Sequence, residues 1–167
     1  LYVINLSLIG IIGALGLNIL IGFTGQISIG HSAFIAIGAY ATTLVGERVG
    51  LPCFALIPLS GVIAGLIGVV VGFPCLRLRG LYLAMATMAF GIIVEYILFH
   101  WDSLTNGPMG MAAPSLSVMG MPLDSHLRFY YFTAIIVVLL AGAAKNLSRM
   151  KIGRAFIAIR DRDIAAS

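Results

Sequence analysis

Few residues in this chain are equipped for chemistry. Three histidines (His31, His100, His126), two cysteines (Cys53, Cys75) and six acids are spread over 167 residues. No His or Cys pair has metal-site spacing and no HExxH occurs, so no metal ligands are expected. The stretch from Gly25 to Gly30 holds neither GxGxxG nor a P-loop with its lysine, so nucleotide binding and ATP hydrolysis belong to some other chain. An enzyme built on His31 with Glu95 or Asp102 would need these groups clustered, and they fall in separate segments. Neither a catalytic residue nor a cofactor is expected. What is left is binding chemistry in Gly22-Phe23-Thr24-Gly25-Gln26-Ile27-Ser28-Ile29-Gly30-His31-Ser32-Ala33-Phe34, a polar, glycine-rich interruption between two apolar runs. A helix starting here presents its first N–H groups, unpartnered and partly positive, to a passing carboxylate. Gln26, Ser28, His31 and Ser32 are the candidate residues of such a pathway. The plain alternative is that Gln26, Ser28 and His31 satisfy neighbouring backbone.

The elements that position these residues follow from composition. Sixty per cent of the residues are hydrophobic and ten per cent charged, and the mean hydropathy is +1.09, which no water-soluble surface carries. The expected fold is all-α, a polytopic membrane helical bundle with about five transmembrane helices, the second interrupted near its start. The spans read as residues 1–23, the interrupted segment to about residue 45, and then 54–76, 81–99 and 128–144. In the second, only about thirteen apolar residues separate Ser32 from the pair Glu47-Arg48, roughly 20 Å of helix against a hydrocarbon core of ~30 Å. That helix crosses only by starting near Ile27, which places Ser28, His31 and Ser32 at membrane depth, where polar backbone must line protein or a water-filled cavity.

Other positions are read against this frame. Asn18 suits a hydrogen bond to a neighbouring helix. Gly61/Gly65 and Gly68/Gly72 give the third span a bare face fit for close packing. Glu95 in the fourth span has two readings, an interfacial or packing role and a place on the pathway. Cys53 and Cys75 lie near opposite membrane surfaces, so no disulfide is expected, and no stretch reads as a cleavable signal. Arg77, Arg79 and the six basic residues from Lys145 onward fall on one side of this topology, and only Arg48 lies in the opposite loops, 46–53 and 100–127. The basic side is therefore cytoplasmic. The net charge of +4 reflects this clustering at segment ends, not a nucleic-acid surface. In the tail, Ile152, Phe156 and Ile159 recur at helical spacing among Arg149, Lys151, Arg154, Arg160 and Arg162. They make a ridge too short to span, suited to docking on a soluble partner or to lying on anionic lipid.

Four stretches carry a resemblance. They are Gly16-Leu17-Asn18-Ile19-Leu20-Ile21-Gly22-Phe23-Thr24-Gly25-Gln26-Ile27-Ser28-Ile29-Gly30-His31, Leu76-Arg77-Leu78-Arg79-Gly80-Leu81-Tyr82, Thr105-Asn106-Gly107-Pro108-Met109-Gly110, and the run from Gly153-Arg154-Ala155-Phe156 to Ala166. In this order the chain resembles the inner-membrane permease subunits of branched-chain amino acid ABC importers, particularly the LivM-type member of the pair. The resemblance implies a pathway for branched-chain or related amino acids, two cytoplasmic ATP-binding subunits, a second permease subunit and a periplasmic or extracellular substrate-binding protein, in a bacterial or archaeal inner membrane. It weights the tail toward docking through Ile152, Arg154, Phe156, Ile159 and Arg160. It divides the chain into an incomplete permease core, 1–144, and a truncated cytoplasmic coupling segment, 145–167, of a longer protein. A structural membrane subunit, or a permease for another small polar solute such as urea or amides, is the alternative. The chain departs from the family pattern at Ile92 and Glu95, so no substrate role carries over to that helix.

Overall fold

The computed structural model describes residues 1–26, 28–49, 53–75, 77–78, 80–113, 117–118, 121–122, 125–151, 153, 156 and 160. Its helices are α1 (Tyr2–Asn18), α2 (His31–Val49), α3 (Cys53–Cys75), α4 (Leu81–His100), the single turn α5 (Asp102–Thr105) and α6 (His126–Arg149). α1 runs on into a π-helical turn, Ile19–Phe23. The two-residue strands β1 (Ser117–Val118) and β2 (Met121–Pro122) pair antiparallel, Ser117 with Pro122 and Val118 with Met121. The fold is the expected all-α one, and the chain is a multi-pass membrane protein. Among the described residues four helices are long and apolar enough to cross a bilayer: Tyr2–Phe23, Ala55–Cys75, Leu81–His100 and His126–Arg149. Their outward faces carry bare aliphatic side chains, with Val69 71% and Val70 73% exposed on α3, a surface suited to lipid. Hydroxyls inside the bundle bond back to their own helix, Thr43 to the carbonyl of Ala39 (3.0 Å) and Thr133 to that of Phe129 (2.9 Å), as a solvent without hydrogen bonds requires.

Two compact units are formed, Leu1–Ser28 with Ser125–Ser167, and Ile29–Asp124. In the first, α1 packs on α6. The Asn5 amide, 5% exposed, donates to the His126 carbonyl at 3.2 Å. This bond joins the N-terminal ends of both helices, so they run in the same sense. In the second unit, α2 packs on α3 and on α4 around Ala33, Ala41, Leu56, Leu83, Ala84 and Val94. The Phe34 and Phe90 rings meet at a tilt of 38° with centroids 5.2 Å apart.

The second helix corrects one expectation. It begins at His31, after a turn at Ile29-Gly30, and not near Ile27, because glycine at position 30 lets the backbone settle onto α4 before the helix starts. From there its 19 residues extend about 28 Å. α2 is not among the four helices long and apolar enough to cross a bilayer, so the expected count of about five spans is met by four among the described residues.

A second expectation, the close-packed glycine face of α3, holds only at Gly68, where a methyl group would lie 3.4 Å from the Phe34 ring. At Gly61, Gly65 and Gly72 no described atom comes within 4 Å of such a methyl. Cys53 and Cys75 sit at opposite ends of α3, which at 1.5 Å per residue puts them about 33 Å apart, far beyond disulfide reach.

The first part of the loop after α4, residues 101–110, is tied down by its own hydrogen bonds. Thr105, 1% exposed, donates to the carbonyl of Leu98 (2.6 Å) or Trp101 (2.8 Å) and accepts the Gly107 N–H (3.3 Å). Asn106, in the left-handed region at φ 61°, bonds through Nδ2 to the Gly110 carbonyl at 3.2 Å. This knot ties the loop back onto the end of α4.

Candidate functional site

The turn at Ile29-Gly30 that leads into α2 is held in place by α4. The Ile29 N–H donates to Thr87 Oγ1 at 3.1 Å, and that hydroxyl donates to the Ala84 carbonyl at 3.0 Å. Gly30 is buried, and a methyl group built on it would collide with the Thr87 carbonyl oxygen and lie close to its carbonyl carbon. A methyl on Gly91 would in turn lie 3.7 Å from the Gly30 Cα. Thr87 and Gly91 lie about 9 and 15 Å along α4 from Leu81. The start of α2 is therefore fixed near the middle of α4, a helix long and apolar enough to cross a bilayer.

Beside this contact a cavity of about 430 Å³ opens between α2 and α4, lined by Ser32, Ala36 and Tyr40 on one side and Met88, Gly91, Ile92, Glu95 and Leu98 on the other, with Gly107 also in its wall. It falls within the range of small-ligand sites. Apolar side chains make most of its surface, and Ser32, Tyr40 and Glu95 are its polar groups. Its walls suit an aliphatic chain, and its carboxylate suits a cation. Among the described residues no group of His, Cys, Asp and Glu could hold a metal.

Of the candidate pathway residues, Ser32 lines this cavity. His31 opens α2, half-buried, and is not in the cavity wall. Gln26 is exposed and Ser28 half-buried, and both belong to the unit containing α1. Glu95, for which two readings stood open, lies on the cavity wall with Ile92. Tyr40, Thr87 and Gly107 escaped the sequence reasoning. Thr87 and Gly91 form a small-xxx-small pair that marks a close helix contact, a signal present in the fourth span but overshadowed by the glycines of α3. In the tail, Phe156 is helical and half-buried. The Arg160 guanidinium donates to the Gly22 carbonyl at 2.9 Å. Ile152, Arg154 and Ile159 lie outside the described residues.

Thr87→Val is expected to leave the Ile29 N–H without a partner inside the bundle and to cost about 1–3 kcal/mol. Thr87→Ser keeps the hydroxyl and should retain most of that stability. Thermal unfolding of the purified full-length permease compares the two, and equal midpoints would show that this bond does not fix the turn.

Residues 1–167 match the family described as "Branched-chain amino acid transport system / permease component". The chain is 34% identical over 185 aligned positions to the high-affinity branched-chain amino acid transport system permease protein LivM of Escherichia coli (strain K12), an alignment covering 96% of this chain and 44% of that protein. It is 33% identical, with the same coverage, to the protein of that name from Salmonella typhimurium. The chain thus spans less than half the length of these curated relatives. No solved structure gives a significant match. With the family match running from the first residue to the last, this chain belongs to the branched-chain amino acid transport permease family.

Proposed function

We propose that the protein containing this chain is the transmembrane permease subunit of an ATP-driven ABC importer of a bacterial inner membrane, and that this chain contributes to the pathway for branched-chain or related amino acids. The observation that carries the proposal is the start of α2, pinned to the middle of α4 beside a cavity that combines aliphatic walls with Ser32 and Glu95. A branched-chain amino acid needs all three: apolar contact for its side chain, a carboxylate for its ammonium group, and the N-terminal end of a helix for its own carboxylate. Gln26, Ser28 and His31 are the other polar candidates of the same interrupted stretch, Gly22 to Phe34. The partners are two cytoplasmic ATP-binding subunits, a second permease subunit and a soluble substrate-binding protein. The ridge around Phe156 docks on one of the ATP-binding subunits.

Orientation follows from the basic residues, which place Arg77 and the tail in the cytoplasm and residues 100–127 on the binding-protein side. Single cysteines at Ser103 and Ser148, in a background lacking Cys53 and Cys75, are expected to label from opposite sides of intact cells. Labelling of both by an impermeant reagent would overturn this topology. The full-length permease with its partners should accumulate leucine in proteoliposomes only when ATP is supplied, and accumulation without ATP would refute an ATP-driven importer.

A further inference from the structure

The tail reaches the end of the first helix. α6 stops at Met150, whose extended backbone (ψ 166°) breaks the helix. Gly153 is buried so closely that a methyl group on it would collide with the Leu147 carbonyl and lie 2.7 Å from the Ser148 Cα. Beyond this tight turn, Arg160 Nη1 donates to the carbonyl of Gly22, 138 positions away in the sequence. The stem of Arg160 lies against Gly25, where a methyl group would sit 2.8 Å from its Cγ. Gly25 has φ +69°, a backbone conformation that favours glycine.

The chemistry of the contact is specific. Gly22 lies in the π-helical turn that ends α1, where terminal carbonyls lack helical partners and carry the negative end of the helix dipole. A guanidinium satisfies both needs with one charge-assisted bond. Turns of this wide type are also found preferentially at functional sites. The residues that follow, Gln26 and Ser28, lead by chain continuity into α2.

We infer that Arg160 is a positioning residue that ties the cytoplasmic tail to the end of α1, so that a displacement of the tail is delivered to the interruption at Gln26–Ser28. This rests on the proposed transport function and divides the work of the tail: Phe156 engages the ATP-binding partner, and Arg160 engages the protein's own first helix.

In the full-length permease assembled with its partners, Arg160→Ala should retain the ATP-binding subunits as the wild type does while leucine taken up per ATP hydrolysed falls about tenfold, the scale of one lost charge-assisted bond. Arg160→Lys, which can donate to the same carbonyl, should recover part of the loss. Phe156→Ala should give the opposite split, losing ATP-binding subunits. Wild-type uptake per ATP in Arg160→Ala, or loss of the ATP-binding subunits from it, would overturn the inference. A second measurement is independent of transport. Thr24→Cys combined with Asp161→Cys, with Arg160 kept and without Cys53 and Cys75, should be bridged by a thiol cross-linker in native membranes. Failure to cross-link would sink the tether even where uptake is normal, whereas cross-linking in a protein that transports nothing would keep the tether and remove the transport reading.

Discussion

Gly30→Ala should prevent the second helix from seating on the fourth, with loss of uptake and of assembled complex. The atom that the new methyl group meets is the backbone carbonyl oxygen of Thr87, inside α4, and it cannot swing aside as a flexible side chain would. Overpacking typically costs about 1–3 kcal/mol. Here the cost includes the Ile29–Thr87 hydrogen bond, because separating the backbones also breaks the bond that holds the turn. The same substitution on α3 should have the opposite sign. Gly61 and Gly65 have open space around them among the described residues, and alanine in a helix interior gains up to about 1 kcal/mol over glycine. Thermal unfolding of the three full-length variants in detergent would separate them. A Gly30→Ala protein as stable as the wild type would mean that the close contact between α2 and α4 does not exist.

That contrast shows what the sequence disclosed and what it concealed. The membrane class, the positions of the helices and the interruption itself were legible because hydrocarbon imposes a length and a polarity on each segment, and the run from Gly22 to Phe34 satisfies neither. The start of α2 at His31 was not legible, since it depends on a tertiary contact, Gly30 against Thr87, that no local pattern announces. The glycines of α3 misled in the other direction. Their spacing promises a close neighbour, yet spacing specifies only a face, and among the described residues only Gly68 has a side chain against it. Glu95 could not be assigned from sequence because its role depends on which side of α4 faces α2, and that is fixed by Gly91 and Phe90. Arg160 read as one basic residue among six until its partner, the Gly22 carbonyl, was seen.

The cavity between α2 and α4 carries the second large effect. Ala36→Trp places an indole in a space of about 430 Å³ and should reduce leucine uptake at least about tenfold, provided that a permeating solute must share that volume. Glu95→Gln keeps the shape and removes the charge that would meet a substrate ammonium, so it should weaken uptake of leucine more than that of an uncharged solute of similar size. Neither change touches the Ile29–Thr87 bond, and both variants should assemble.

The most direct test of whether this cavity lies on the pathway is chemical modification of Ser32→Cys, in a background without Cys53 and Cys75, within the complete transporter in proteoliposomes. Leucine uptake should be near normal before treatment and lost once a bulky thiol reagent has reacted at position 32. Leucine presented by the binding protein with ATP should change the rate of that reaction. Full uptake after complete modification would contradict the account, because a path through this cavity cannot remain open with Ser32 replaced by so large a group.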